Sequence, residues 1–168
     1  MKNNYDLIVA GGGAAGIFSA LRAAALYPNI NILVIEKSNK LLSKVKISGG
    51  GRCNVCPSPL DINELVKFYP RGFKELRQAF NYFNVSDTIN WFESRGVKLK
   101  QEPDGRMFPV TDDSQTIIDC LLKEAHKFKI SFALSTAFEG FDKIENEFII
   151  RSNKGDFNSK YLIIACGG

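Results

Sequence analysis

Tyr5-Asp6-Leu7-Ile8-Val9-Ala10-Gly11-Gly12-Gly13-Ala14-Ala15-Gly16 runs from a short apolar segment straight into glycines, and Ala14–Leu26 (AAGIFSALRAAAL) continues as an alanine-rich stretch. The apolar segment reads as a strand and the alanine stretch as a helix closed before Pro28. Ile32–Glu36 (ILVIE) reads as a second strand. Both strands are unbroken apolar runs, the pattern of a parallel sheet covered on two faces. The segment is one βαβ unit carrying Gly11-x-Gly13-x-x-Gly16 at its first turn. In such a unit the first glycine permits the tight turn and the second lets backbone approach a pyrophosphate. The third lets helix and strand pack closely, and the helix N-terminus presents N–H groups to the anion. Glu36 follows Gly16 by 20 residues, where a carboxylate can accept ribose hydroxyls. An acid there favours FAD or NAD over the 2′-phosphate of NADP, which would meet a like charge.

Outward from this unit, composition narrows the class. The chain has 168 residues, 45% hydrophobic and 24% charged, which is ordinary for a globular domain and excludes disordered, collagen-like and coiled-coil classes. A net charge of +4 without any Lys/Arg run gives no electrostatic footprint for nucleic acid or anionic lipid, so neither is expected as a partner. The uncharged stretch Leu7–Leu21 is too short and too glycine-rich to span a membrane. Cysteines at 53, 56, 120 and 166 show no pairing pattern, so a reducing cytoplasm is expected.

Residues 37–60, rich in Lys, Ser, Gly and Pro, read as loop. Helices are expected at Phe73–Phe83 and Ser86–Arg95, with the aromatics Phe80, Tyr82, Phe83, Trp91 and Phe92 as core between them. An extended pair should flank Pro103-Asp104-Gly105, and Ser114 should cap a helix running to Phe128. Ile130–Leu134, Phe138–Lys143 and Phe148–Ser152 read as three short strands before a buried strand Tyr161–Ala165. That order predicts a small antiparallel meander laid on the parallel sheet. The chain stops just after a strand that enters glycines, which reads as the N-terminal part of a longer domain, with 57–112 a helical and loop excursion within it.

A second glycine motif, Lys44-Val45-Lys46-Ile47-Ser48-Gly49-Gly50-Gly51-Arg52-Cys53-Asn54, combines N–H donors with cationic side chains, suited to a second segment of a long cofactor. Together with GGGAAG at 11–16, IEK at 35–37, DGRMFPVTD at 104–112 and LIIACGG at 162–168, it carries a resemblance. The sequence resembles the HI0933-like flavoproteins, a group of NAD(P)/FAD-dependent oxidoreductases that includes proteins named aminoacetone oxidases.

The resemblance implies an α/β, Rossmann-like, two-dinucleotide-type FAD-binding domain with a parallel sheet, helices and a small antiparallel β-meander. It implies Gly11, Gly13, Ala14, Ala15 and Gly16 at the pyrophosphate, with Glu36 and Lys37 around the adenosine half. Lys44, Ser48, Gly49, Gly50, Arg52, Cys53 and Asn54 would lie along the pyrophosphate-to-flavin side, and Ala165, Cys166 and Gly167 near the cofactor. A backbone contact to adenine would come from Ala137 or Phe138. Two departures stand out. Leu42-Ser43 occupies a place where the family has Gly-Arg, and Cys166 replaces a threonine.

Activity follows as an expectation: FAD takes a hydride from NAD(P)H and passes it to an organic small-molecule acceptor such as an activated double bond or a carbonyl. The alternative is a truncated, non-catalytic dinucleotide-binding remnant. A third option, an FAD-dependent RNA-modifying enzyme, lacks a basic stripe with stacking aromatics. Arg106 either faces the flavin or a substrate carboxylate, or braces its turn. Cys53 is a second catalytic candidate, although Cys53-x-x-Cys56 as a redox disulfide is disfavoured because Cys53 belongs to the glycine loop. No metal site has the spacing for zinc, His126 reads as a surface residue, and the oligomeric state is left open.

Overall fold

The computed structural model describes residues 4–58 and 61–167, which fall into two compact units. Gly168, the last residue of the LIIACGG motif, lies outside the described residues.

The first unit comprises Met1–Val45 and Leu121–Gly168. It opens with β1 (Asn4–Ala10), α1 (Ala14–Leu26) and β2 (Ile32–Ile35), the expected βαβ crossover. β1 and β2 are parallel, with Leu7 opposite Ile32 and Ala10 opposite Ile35. Residues alternate between the faces of a strand. Ile8, Ala10, Leu33 and Ile35 therefore share one face, in a core with Ala133, Ile150 and Phe157. Val9 lies on the opposite face, beneath Gly16 of α1, and α1 buries Ile17, Ala20, Leu21 and Ala24.

The later strands are β6 (Ser131–Ala133), β7 (Phe138–Ile144), β8 (Glu147–Ser152) and β9 (Phe157–Ile164). All join one six-stranded sheet in the order β6-β2-β1-β9-β8-β7. β6, β2, β1 and β9 are parallel, while β7, β8 and β9 pair antiparallel. This corrects the expected topology in two ways. β6 belongs to the parallel part rather than to the meander. The meander continues the sheet edge to edge instead of lying on it, because β9 starts at Phe157, early enough for Phe157, Asn158 and Ser159 to pair with β8. Beyond Ser159, β9 has β1 as its only partner among the described residues, and Tyr161 and Ile164 are 64% and 54% exposed. The expected wholly buried last strand is thus buried only in its first half.

The second unit is Lys46–Cys120. β3 (Cys56–Pro57), β4 (Leu99–Gln101) and β5 (Arg106–Pro109) form a three-stranded antiparallel sheet in the order β3-β5-β4. α3 (Ile62–Leu65), α4 (Phe73–Tyr82) and α5 (Val85–Glu93) lie between its strands in sequence. Asn84 and Asp87 form a reciprocal capping box that fixes the start of α5. The expected aromatic core is only partly realised. Phe92 is buried, but α4 buries no residue and Tyr82 is 82% exposed.

The stretch 37–60, read as loop, holds α2 (Ser43–Ile47), a 3₁₀ turn at Ser48–Gly51, and β3. The last helix, α6 (Ser114–Lys127), begins at Ser114, but its cap is Asp113, whose carboxylate accepts the Gln115 N–H at 2.8 Å. The buried Ser114 hydroxyl instead donates to the Lys46 carbonyl at 2.8 Å.

Candidate functional site

The turn between β1 and α1 is built by close contacts that only glycine permits. Gly11 has φ +114°, and a Cβ there would lie 2.2 Å from the Ala165 carbonyl oxygen. A Cβ on Gly16 would lie 1.9 Å from the Gly11 carbonyl oxygen. Gly13 is different: a Cβ there meets nothing within 4 Å, so the space before the helix is open. Gly13 is also the N-cap of α1, and no side chain caps the helix. The first-turn N–H groups, including those of Ala14 and Ala15, therefore point into a cradle suited to an anion.

Glu36 sits at the end of β2 with both oxygens engaged. Oε2 accepts the Gly12 N–H at 2.7 Å and Oε1 the Ser38 N–H at 2.9 Å. Burial works to raise its pKa, but donation from Ser38 and Gly12 outweighs it, and the carboxyl is held below its ordinary value. A carboxylate has about four acceptor positions, so capacity remains for ribose hydroxyls. Lys37 beside it is exposed.

Three further segments converge on this turn within the first unit. The Thr136 N–H donates to the Glu36 carbonyl at 2.8 Å, which sets the residues before Phe138 next to the acid. Of the two adenine-contact candidates, Ala137 already donates its N–H to the Asn153 side chain at 2.8 Å, and Phe138 pairs with Ser152 in β7. The Ala165 N–H donates to the Ala10 carbonyl at 2.7 Å, and the Cys166 thiol lies 3.6 Å from the same oxygen. Lys44 Nζ approaches to 3.6 Å from the position of a Cβ on Gly167. Leu42 donates its N–H to the Gly12 carbonyl at 2.9 Å.

Gly12 and Leu42 are the residues that the glycine pattern alone does not select. A Cβ on Gly12 would stand 2.4 Å from Leu41 Cδ2. Leu42 is buried at φ +58°, a backbone that favours glycine.

In the second unit the glycine loop is strongly left-handed. Gly49, Gly50 and Gly51 have φ of 56°, 69° and 88°, and Cys53, a non-glycine, has φ 63°. The Cys53 N–H closes the loop onto the Ser48 carbonyl at 3.0 Å. Asn54 follows and is exposed. Arg52 is committed internally, bridging to Glu102 and, at 3.5 Å, to Asp112. Burial pushes the Cys53 thiol up against a hydrogen bond with Ser48, and pushes Cys56 up to about 11. Neither holds a ready thiolate, which argues against a redox pair. Arg106 braces its turn. Its Nη2 and Nε lie 2.6 and 2.7 Å from Asp104 Oδ2. Among the described residues no cluster of His, Cys, Asp and Glu could hold a metal ion, and no helix is long and apolar enough to cross a membrane.

Residues 5–168 match the HI0933-like protein Rossmann domain. The chain belongs to this family.

The HI0933-like chain is 25% identical over 160 residues to the 3-dehydro-bile acid delta(4,6)-reductase of Clostridium scindens, covering 95% of itself and 38% of that protein. It is 30% identical over 165 residues to the ribosomal RNA dihydrouridine synthase of Escherichia coli, covering 98% and 40%. It therefore spans about two fifths of the length of these relatives. The second relative is named for an RNA, a substrate class that the sequence reading sets aside.

Among solved structures, the FrdA chain of Escherichia coli quinol fumarate reductase superposes with a TM-score of 0.73 at 16% identity, over 100% of this chain and 33% of that one. NikD, an amino acid oxidase, gives 0.59 at 14% identity, over 99% and 52%. The fold is a Rossmann-type α/β domain.

Proposed function

We propose that this HI0933-like chain is the cofactor-holding part of an FAD-dependent oxidoreductase that adds hydrogen across a carbon–carbon double bond conjugated to a carbonyl. The observation that carries the cofactor is the open cradle at Gly13, where uncapped helix N–H groups face space that a Cβ would fill, with Glu36 at the end of the neighbouring strand. Gly11, Gly13, Ala14, Ala15 and Gly16 are the pyrophosphate residues in this reading. Glu36 and Lys37 serve the adenosine half, with Phe138 backbone nearby. Lys44, Ala165, Cys166 and Gly167 lie along the same turn. Ser48, Gly49, Gly50, Arg52, Cys53 and Asn54 enter on their sequence pattern.

FAD, when bound, supplies two-electron hydride chemistry, accepting from NAD(P)H and donating to the substrate. The chain's own part is to neutralise the pyrophosphate with backbone dipoles and to orient the ribose through Glu36. The acceptor class is supported by the chemistry in two names. A 3-dehydro-Δ4,6 bile acid is a ketone conjugated to double bonds. Dihydrouridine is uridine with two hydrogens added across a double bond conjugated to a ring carbonyl.

The test is titration of the purified chain with FAD, read by quenching of flavin fluorescence, followed by reduction with NADH or NADPH. The reduced protein is then offered a steroid dienone and a uridine-containing RNA. Binding followed by reoxidation with either acceptor supports the reading, and the acceptor that works assigns small molecule or RNA. A folded chain that does not bind FAD overturns it.

A further inference from the structure

The second unit carries a device that the reading above leaves unused. Phe108 of β5 is fully buried beneath the glycine loop, and a Cβ on Gly49 would lie 2.9 Å from its Cε1 and 2.7 Å from the Asn54 nitrogen. The Arg52 guanidinium carbon stacks 4.1 Å above the centroid of the same ring, and that of Arg106 lies 5.3 Å from it. The edges of Arg52 are held by Glu102 and Asp112, and Asp112 is itself held by Lys100 at 2.5 Å. The loop's exit is tied to the same strand, since the Val55 N–H donates to the Met107 carbonyl at 2.9 Å. Cβ atoms on Gly50 and Gly51 would meet nothing within 4 Å, so those two glycines form the open side of the loop.

We propose that Phe108 and Glu102 are positioning residues. They clamp Arg52 as a strut and so hold Gly49–Asn54 in its ligand-accepting shape, left-handed at Gly49–Gly51 and Cys53. A run of positive φ is entropically costly to maintain and needs such a frame. The guanidinium is suited to the task because its plane stacks on a ring while its edge bonds carboxylates. Glu102 and Asp112 hold the edge of Arg52, and the loop's open side at Gly50 and Gly51 offers a ligand backbone. The link from loop shape to FAD affinity rests on the cofactor reading above, whereas the link from clamp to loop shape does not.

The experiment compares wild type with Phe108→Leu, Phe108→Tyr and Glu102→Gln in two measurements. The first is amide hydrogen exchange of residues 50–54 in the cofactor-free chain. The second is FAD affinity, with the melting temperature as control. Phe108→Leu and Glu102→Gln should each speed exchange in the loop and weaken FAD binding about tenfold. Phe108→Tyr keeps the ring and should stay within about twofold of wild type. If Phe108→Leu does not fold, Glu102→Gln decides the matter, since Glu102 lies partly exposed. Unchanged loop exchange in the folded variants overturns the proposal. Faster exchange in a chain that never binds FAD upholds the clamp and overturns the cofactor reading instead. Weaker binding that merely follows a lowered melting temperature, with tyrosine giving no rescue, also overturns it.

Discussion

Glu36 Oε2 accepts the Gly12 N–H at 2.7 Å, so the acid that follows β2 is bonded to the loop that follows β1. The carboxylate thus shapes the glycine turn itself. Because its pKa is held below the ordinary 4.5, its contribution is fully present above that pH and is lost as pH falls through the lower folded value. Glu36→Gln should cost about 1.5 kcal/mol near neutral pH, the scale of a hydrogen bond to a charged group. The gap to wild type should close in acid. Urea unfolding from pH 3 to 7 reads this directly, and a pH-independent gap would disprove it.

Gly13 and Gly16 separate binding from folding. Gly16→Ala forces a Cβ to within 1.9 Å of a backbone oxygen and should destabilise the chain by about 1–3 kcal/mol. Gly13→Ala meets no atom and has an ordinary φ of −80°, so its stability should fall by no more than about 1 kcal/mol, the cost of alanine at an N-cap. Its FAD affinity should nevertheless fall, because the methyl enters the cradle. Gly13→Asp should abolish flavin retention. Undiminished flavin in Gly13→Asp would remove the pyrophosphate from this turn.

How much of this was legible beforehand differs between the two units. The βαβ crossover could be read residue by residue, because apolar runs, glycines and a terminal acid are each local signals of local geometry. The role of Gly12 could not, since it depends on Glu36 and Leu41, which approach only once the crossover has closed. The strand text of 130–165 is legible in the sequence, but its pairing is not. Which neighbour a strand takes is decided by long-range closure, and β6 found β2. In the second unit the aromatics of 80–92 suggested a core that α4 does not form, because periodicity shows an apolar face without showing what covers it. Spacing alone does not aim Arg106, and in the structure its side chain reaches Asp104, two residues away.

Leu42 holds two opposed terms. Leu42→Gly relieves a left-handed leucine, worth about 1–2 kcal/mol, but removes a fully buried side chain, a loss of about 2–5 kcal/mol. The variant should therefore be net destabilised. A gain in its urea midpoint would mean that backbone strain dominates.

Thiol reactivity should sort by burial. With iodoacetamide at pH 8, Cys166, the exposed cysteine, should be modified first, well ahead of Cys53 and Cys56. Peptide mass spectrometry over time reads the order. Rapid appearance of a Cys53–Cys56 disulfide in air would restore the redox pair.

The pairing of β1 with β9 has a meaning for how the protein is made. Asp6 and Lys160 form an ion pair at 2.8 Å although 154 positions separate them. At about 5–20 residues per second on the ribosome, β1 waits roughly 8–30 s for its second neighbour. During that interval the apolar edge of Leu7–Ala10 stands open beside β2, a template for any passing strand. Nascent-chain binders that shield this edge should therefore govern the yield of soluble protein more than the stability of the finished sheet does.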